Sequence, residues 1–214
     1  MLALRPAVLE DAPAIAAINA AAGRAGWTDF LPRERLATFE LPVGRYEEML
    51  GGDADPGSAV YVATEAEEIV GFVSVRSGDG EVGEVGALYV HPAHWSAGVG
   101  RALLAFALET FSTAGCREAT LWTEERNERP RRIYARAGWR LDGASRVRDF
   151  LGCRIRELRY RIPLADEGRL DLQQQDHVQD EQDPEGDCPP GEVALDERAA
   201  AEPTTARPDA EGTG

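Results

Sequence analysis

A strand-like run that breaks straight into a glycine-rich helix start is the feature that most restricts this chain. Residues 83–101 read GEVGALYVHPAHWSAGVGR. The run ends at His91-Pro92, and Ser96-Ala97-Gly98-Val99-Gly100-Arg101 opens a helix. In that helix Val99, Leu103, Phe106, Ala107 and Thr110 recur at helical spacing, and Gly115 closes it. Glycines in a first helical turn leave backbone N–H groups open, and the helix dipole adds partial positive charge. Together they make an anion cradle whose natural guest is a pyrophosphate. The plainer alternative is a tight turn that packs closely and binds nothing.

The flanking sequence predicts a mixed α/β fold. A short strand over 2–8 leads to a helix carrying Ile15, Ile18 and Ala22, with Glu10 and Asp11 at its N-terminus. One or two short helices are expected within 27–50, before the turn chemistry of 51–57. Three β-branched runs follow at 59–64, 69–76 and 83–90, with Gly78-Asp79-Gly80 between the last two, and consecutive antiparallel pairing is expected. After the glycine-rich helix come a strand (119–123), a helix (127–137) with Asn127 as N-cap and Pro130 in its first turn, and strands near 139–147 and 153–162. That makes a sheet of about seven strands.

Charge divides the chain in two. Residues 165–214 carry 3 Arg and 15 acids, no aromatic residue and five large aliphatics, too little apolar surface to offset chain entropy. They are read as an acidic disordered tail, and residues 1–164 as the folded domain. No apolar run approaches the ~20 residues of a membrane span, and no signal peptide is expected. Three widely spaced cysteines (Cys116, Cys153, Cys188) speak against a disulfide framework or zinc site and for a reducing cytoplasm. Cys116 and Cys153 are expected to be small buried hydrophobes. The acidic balance, net −15, argues against nucleic-acid binding.

Which phosphate ligand the cradle takes follows by comparison of patterns. A Walker loop needs a lysine, and the chain has none. A dinucleotide fingerprint needs Gly or Ala where Leu103 stands; Glu124 could mimic the ribose-binding acid, but too little chain follows for a doubly wound sheet. Leu88-Tyr89-Val90-His91-Pro92 with Gly98-Val99-Gly100 instead resembles the acyl-CoA-binding motif of the GNAT superfamily of N-acetyltransferases. The resemblance continues one strand later in the run from Asn127 through Tyr134 to Gly138-Trp139, and covers roughly residues 2–163.

The resemblance implies a GNAT-like, mostly antiparallel sheet flanked by helices, and acetyl-CoA as co-substrate with no metal. Backbone groups of Leu88, Tyr89 and Val90 would bond the pantetheine arm and acetyl carbonyl. Amides from Ser96, Ala97, Gly98, Val99, Gly100 and Arg101 would hold the pyrophosphate, and Asn127 would contact the cofactor. Tyr134 would protonate the departing thiolate. Trp95 and Ala97 depart from the family, standing where a Gln or Arg and a basic residue are usual. Trp27, Asp29, Phe30 and Tyr46 fall where the family builds its acceptor wall; each could equally be ordinary packing.

A base is also needed. Glu84, acting through water, is the first candidate, expected on one strand face with Gly86 and Leu88 while Val85, Ala87 and Tyr89 take the other. His91 and His94 read as surface loop residues. Residues 126–161 hold 12 Arg and 4 acids, and Arg129, Arg131, Arg132 and Arg136 on one short helix could neutralise a phosphate or simply form a solvated face. The expected function is direct acetyl transfer to an amine. The partner is a small-molecule or peptide amine, cationic given the acidic first 125 residues, with no nucleic acid or membrane; a homodimer is left open. A catalytically silent acyl-CoA-binding or interaction module is the main alternative, and a nucleotide-binding regulatory domain a further one.

Overall fold

The computed structural model describes residues 1–51, 57–77 and 81–164. The expected acidic tail and the Gly78-Asp79-Gly80 turn lie outside the described residues, as do His177 and Cys188. In chain order the elements are β1 (Leu2–Pro6), α1 (Ala12–Gly26), α2 (Arg33–Ala37), α3 (Val43–Leu50), β2 (Ser58–Glu65), β3 (Glu68–Ser77), β4 (Val82–Val90), α4 (Val99–Thr113), β5 (Glu118–Glu124), α5 (Glu128–Arg136), β6 (Arg140–Phe150) and β7 (Cys153–Pro163). The seven strands form one sheet in the order β1-β2-β3-β4-β5-β7-β6. Every neighbouring pair is antiparallel except β4 and β5, which are parallel and joined through α4.

Apolar stripes decide which face each helix covers. Val99, Leu103, Ala107 and Phe111 follow one another at i, i+4 along α4 and are buried with Val73, Val75 and Val85 of the sheet. Tyr134 of α5 joins that layer with Trp139 and Tyr160. The opposite face is covered by Ile15 and Ile18 of α1 and Tyr46 of α3, against Val60, Val62 and Phe72. A third cluster, Trp27, Phe30, Leu36, Phe39, Phe150 and Ile155, fastens the end of α1 and α2 to the β6–β7 hairpin. Cys116 is a buried free thiol whose pKa burial raises. Cys153 is buried as well.

The expected alternation along β4 is also corrected. Val75 pairs with Val85 and Ser74 with Ala87, so Gly86 is an extra residue in the β3–β4 ladder. Past this bulge the facing pattern is reset. Leu88 and Val90 pack with Val85 against the α4 layer, and Ala87 and Tyr89 pack against the α1 layer. Glu84 and Leu88 therefore do not share a face.

Candidate active site

β4 and β5 pair only from Val82↔Glu118 to Val85↔Leu121. Beyond the Gly86 bulge the two parallel strands part, and the space between them is a cleft of about 130 Å³. Gly86–Tyr89 line one wall of the cleft and Trp122–Glu124 the other, with Asn127, Pro130 and Tyr134 of the α5 segment between them. Trp27, Phe30 and Phe150 line it from the third cluster. A strand edge released from its neighbour offers unpaired backbone groups, which suits the role expected of Leu88, Tyr89 and Val90. One of those groups is already engaged, because Trp95 Nε1 donates to the Val90 carbonyl at 2.8 Å.

The start of α4 leaves open space beside its backbone. Gly98 is the N-cap with φ +88°, no side chain caps the first turn, and a Cβ at Gly98 would meet nothing within 4 Å. At Gly100 a Cβ would meet only Val90 Cγ2 at an ordinary 3.6 Å. The fold demands glycine at 98 for its dihedral, but at 100 no packing inside the chain demands it. Ser96 also holds a left-handed φ of +68°, a conformation that costs a serine roughly 1–2 kcal/mol. Open helix amides beside a space that a Cβ would fill fit a pyrophosphate.

Trp95, standing where the family motif usually has Gln or Arg, brings an arginine in from α5. The Arg129 guanidinium lies 4.2 Å over the Trp95 ring and donates to Ser96 Oγ at 3.5 Å. Arg131 is turned inward, donating to the Tyr160 hydroxyl and the Glu125 carbonyl, and Arg132 pairs with Glu128. Of these three arginines only Arg129 is bonded to the cradle segment.

Tyr134 is 7 % exposed, its ring 5.8 Å from Tyr160 and 6.3 Å from Trp139. Burial pushes its phenol well above the ordinary value, with the neighbouring Tyr160 phenol adding to the effect. Asn127 sits at the α5 N-cap, yet its side chain makes no capping bond, and the residue faces the cleft. Pro130 falls within the first turn of α5, where its missing N–H costs nothing.

Several expected residues stand elsewhere. Glu84 is not among the cleft-lining residues and pairs with Arg76 at 3.0 Å. Of the expected acceptor wall, Trp27 and Phe30 line the cleft, whereas Tyr46 is core, its hydroxyl accepting from Asn19 Nδ2 at 2.6 Å, and Asp29 is exposed outside it. His94 pairs with Glu65 at 3.2 Å, and His91 Nδ1 accepts from the Ala93 N–H. The cleft in turn holds two buried carboxylates, each 5 % exposed, that strand reading did not place there: Glu124 and its cross-strand partner Glu157.

Known proteins share this fold. The model of the Acetyltransferase (GNAT) family matches residues 25–139, more than half of the chain. An uncharacterised N-acetyltransferase of Mycobacterium tuberculosis is 28% identical over 143 residues, covering 65% of this chain and 90% of its own length. YncA of Salmonella typhimurium, solved with its cofactor acetyl-CoA, superposes with a TM-score of 0.61 at 21% identity, over 80% of this chain and 98% of that one. PaiA N-acetyltransferase of Thermoplasma acidophilum, in complex with coenzyme A, gives a TM-score of 0.59 at 14% identity, over 74% and 98%. The chain belongs to the GNAT family of acetyltransferases.

Proposed function

We propose that this protein transfers an acetyl group from acetyl-CoA to the nitrogen of an amine, with Tyr134 as general acid and residues 1–164 as the catalytic domain in the cytoplasm. The observation that carries this reading is the parting of β4 from β5 beside the Gly98–Gly100 cradle, with Tyr134 buried in the same cleft. The solved relatives that hold coenzyme A or acetyl-CoA support the choice of donor.

In this mechanism amides from Ser96 to Arg101 hold the pyrophosphate, and Arg129 adds a guanidinium beside it. Free backbone groups on the edge of β4 align the pantetheine arm as an added strand would, and an N–H there stabilises the carbonyl oxygen as it gains charge. Acetyl-CoA supplies an activated acyl group. Asn127 helps to orient it. The amine enters from the Trp27, Phe30 and Phe150 side, so that two reactants meet in line rather than by chance. As the C–S bond breaks, the Tyr134 hydroxyl gives its proton to sulfur. Burial keeps that proton in place until then, and shutting water out strengthens the O–H···S contact as charge develops.

Acetyl-CoA should raise the melting temperature of the protein, because it binds only the folded state, and a panel of amines should release free thiol from it. Gly100→Glu puts bulk and negative charge where the phosphates would lie and should abolish both effects without unfolding the protein. Equal stabilisation of both proteins would overturn the cradle assignment, and binding with no turnover for any amine would make the domain a silent acyl-CoA-binding module.

A further inference from the structure

We propose that Glu124 is the general base of this reaction, the carboxylate that takes the proton from the attacking amine; the proposal rests on the acetyl-transfer reading above. Glu124 is the last residue of β5, at the point where that strand has parted from β4, and it lines the same cleft as Tyr134. Its side chain is 5 % exposed. A buried carboxylate needs partners, and these come from the loop it precedes: the Arg126 backbone N–H donates to one oxygen at 2.7 Å, and Arg126 Nε donates to the other at 3.3 Å. The carboxylate is thereby fixed in place before any substrate arrives.

Three carboxylates compete for the role. Glu84 is outside the cleft and held by Arg76. Glu157 lines the cleft, but its two oxygens are taken by Arg146 at 2.7 Å and Arg148 at 2.8 Å. With a guanidinium on each oxygen, Glu157 is committed to the β6–β7 hairpin and presents neither oxygen unpartnered to a substrate. Glu124 has one guanidinium partner, at the longer distance, and that arginine is 39 % exposed, so its pull is screened by water. Burial raises the Glu124 pKa, and the Arg126 bonds reduce the rise without cancelling it. A carboxylate moved toward neutrality is better matched to proton abstraction at working pH. The charged and titratable groups around it are Arg126 on its own loop, Glu157 across the ladder on β7 with Arg146 and Arg148 on β6, and Tyr134 on α5.

The two proton carriers divide the work. The amine nitrogen forms its bond to the acetyl carbon and gives up one proton to Glu124. The C–S bond breaks, its electron pair leaves with sulfur, and Tyr134 protonates that sulfur. Glu124 then loses its proton to water and Tyr134 regains one, so the enzyme returns to its starting state with amide and free thiol as products.

Glu124→Gln keeps an oxygen to accept from the Arg126 N–H but cannot take a proton. With an amine that stays neutral across the range examined, wild-type kcat/KM should rise with pH through one ionisation. The variant should lose that acidic limb and about 10²–10⁴-fold in rate, with melting temperature and calorimetric acetyl-CoA affinity unchanged. Glu124→Asp, which keeps a shorter carboxylate, should retain the limb at reduced rate. Independently of turnover, protein labelled with ¹³C at glutamate carboxyls should show one resonance, absent from both variants, that titrates above the ordinary glutamate range. A Gln variant with the limb intact and kcat within about threefold of wild type, or a Glu124 resonance titrating at or below the ordinary value, overturns the proposal. If wild-type protein does not bind acetyl-CoA, the acetyl-transfer reading itself falls and takes the base with it.

Discussion

The two halves of the proposed site, the α4 cradle with the β4 edge and the cleft beyond it, are built from different materials. The α4 side is backbone: open amides at the Gly98 N-cap, a left-handed Ser96, and the free edge of β4 beyond the Gly86 bulge. The α1–α2 and β6–β7 side is side chain: Trp27 packs edge-on to Phe150 and Phe39 at ring distances of 5.0 and 5.1 Å, and Glu157 is clamped between Arg146 and Arg148. A backbone site can hold the same ligand whatever side chains surround it, and it needs glycine at fixed positions. A side-chain site can be re-cut for another ligand by a few substitutions without moving a strand. In the reaction proposed above, the cofactor is assigned to the first side and the amine to the second.

Tyr134 stands where the two sides meet, so its loss gives the largest expected effect that spares both. Tyr134→Phe removes one hydroxyl and keeps the ring against Tyr160 and Trp139. It should lower kcat by about 10²–10⁴-fold, while neither cofactor affinity nor acceptor KM moves appreciably. A kcat within about threefold of wild type would make Tyr134 a packing residue and leave water or the amine to protonate the thiolate.

A smaller effect tests how far the first side is backbone alone. Arg129, stacked on Trp95, is the arginine of α5 bonded to that side. Arg129→Ala should weaken calorimetric acetyl-CoA binding by about tenfold, the worth of one charge-assisted bond, and the deficit should shrink as salt rises. Arg132→Ala, which removes only an exposed pair with Glu128, should change nothing. Equal affinities for wild type and Arg129→Ala would leave the cradle wholly to its amides.

That division also explains what could be read without coordinates. The α4 stripe, the strand runs and the Leu88–Gly100 motif were legible because helical spacing and glycine placement are local. The β-bulge was not, since one unpaired residue appears only when β3 and β4 are laid side by side, and it moved Glu84 off the face of Leu88. Glu124 and Glu157 meet because β5 pairs with β7, skipping β6; thirty-three positions of chain separate them, and no periodicity reports such a pairing. Tyr46 looked like a wall residue from its neighbourhood, but an aromatic in a short amphipathic helix serves the core equally well, and here it does.

The smallest expected effect asks whether the side-chain half alone feels acid. Asp142 lies where the β6–β7 register slips between Leu141 and Ser145, with Gly143 at φ +86°. Its carboxylate accepts from the Ala144 N–H at 3.0 Å and from Arg159 and Arg161 at 2.7 and 3.2 Å. Burial by itself would raise its pKa, but those bonds outweigh burial and hold it below the ordinary 3.8. A depressed carboxylate contributes stability above its unfolded value, and that contribution is lost as pH falls through the folded one. Both arginines are about a third exposed, so solvent screening limits the contribution to about 1 kcal/mol. Asp142→Asn should therefore lower the urea midpoint modestly at about pH 7, and the gap to wild type should close as pH falls below the ordinary aspartate range. Acetyl-CoA affinity should be the same in both proteins at neutral pH, because no carboxylate shapes the cradle. A stability gap that persists in acid would mean that Asp142 acts through shape at the slipped register rather than through charge. A fall in cofactor affinity would mean that the hairpin and the cradle are coupled after all.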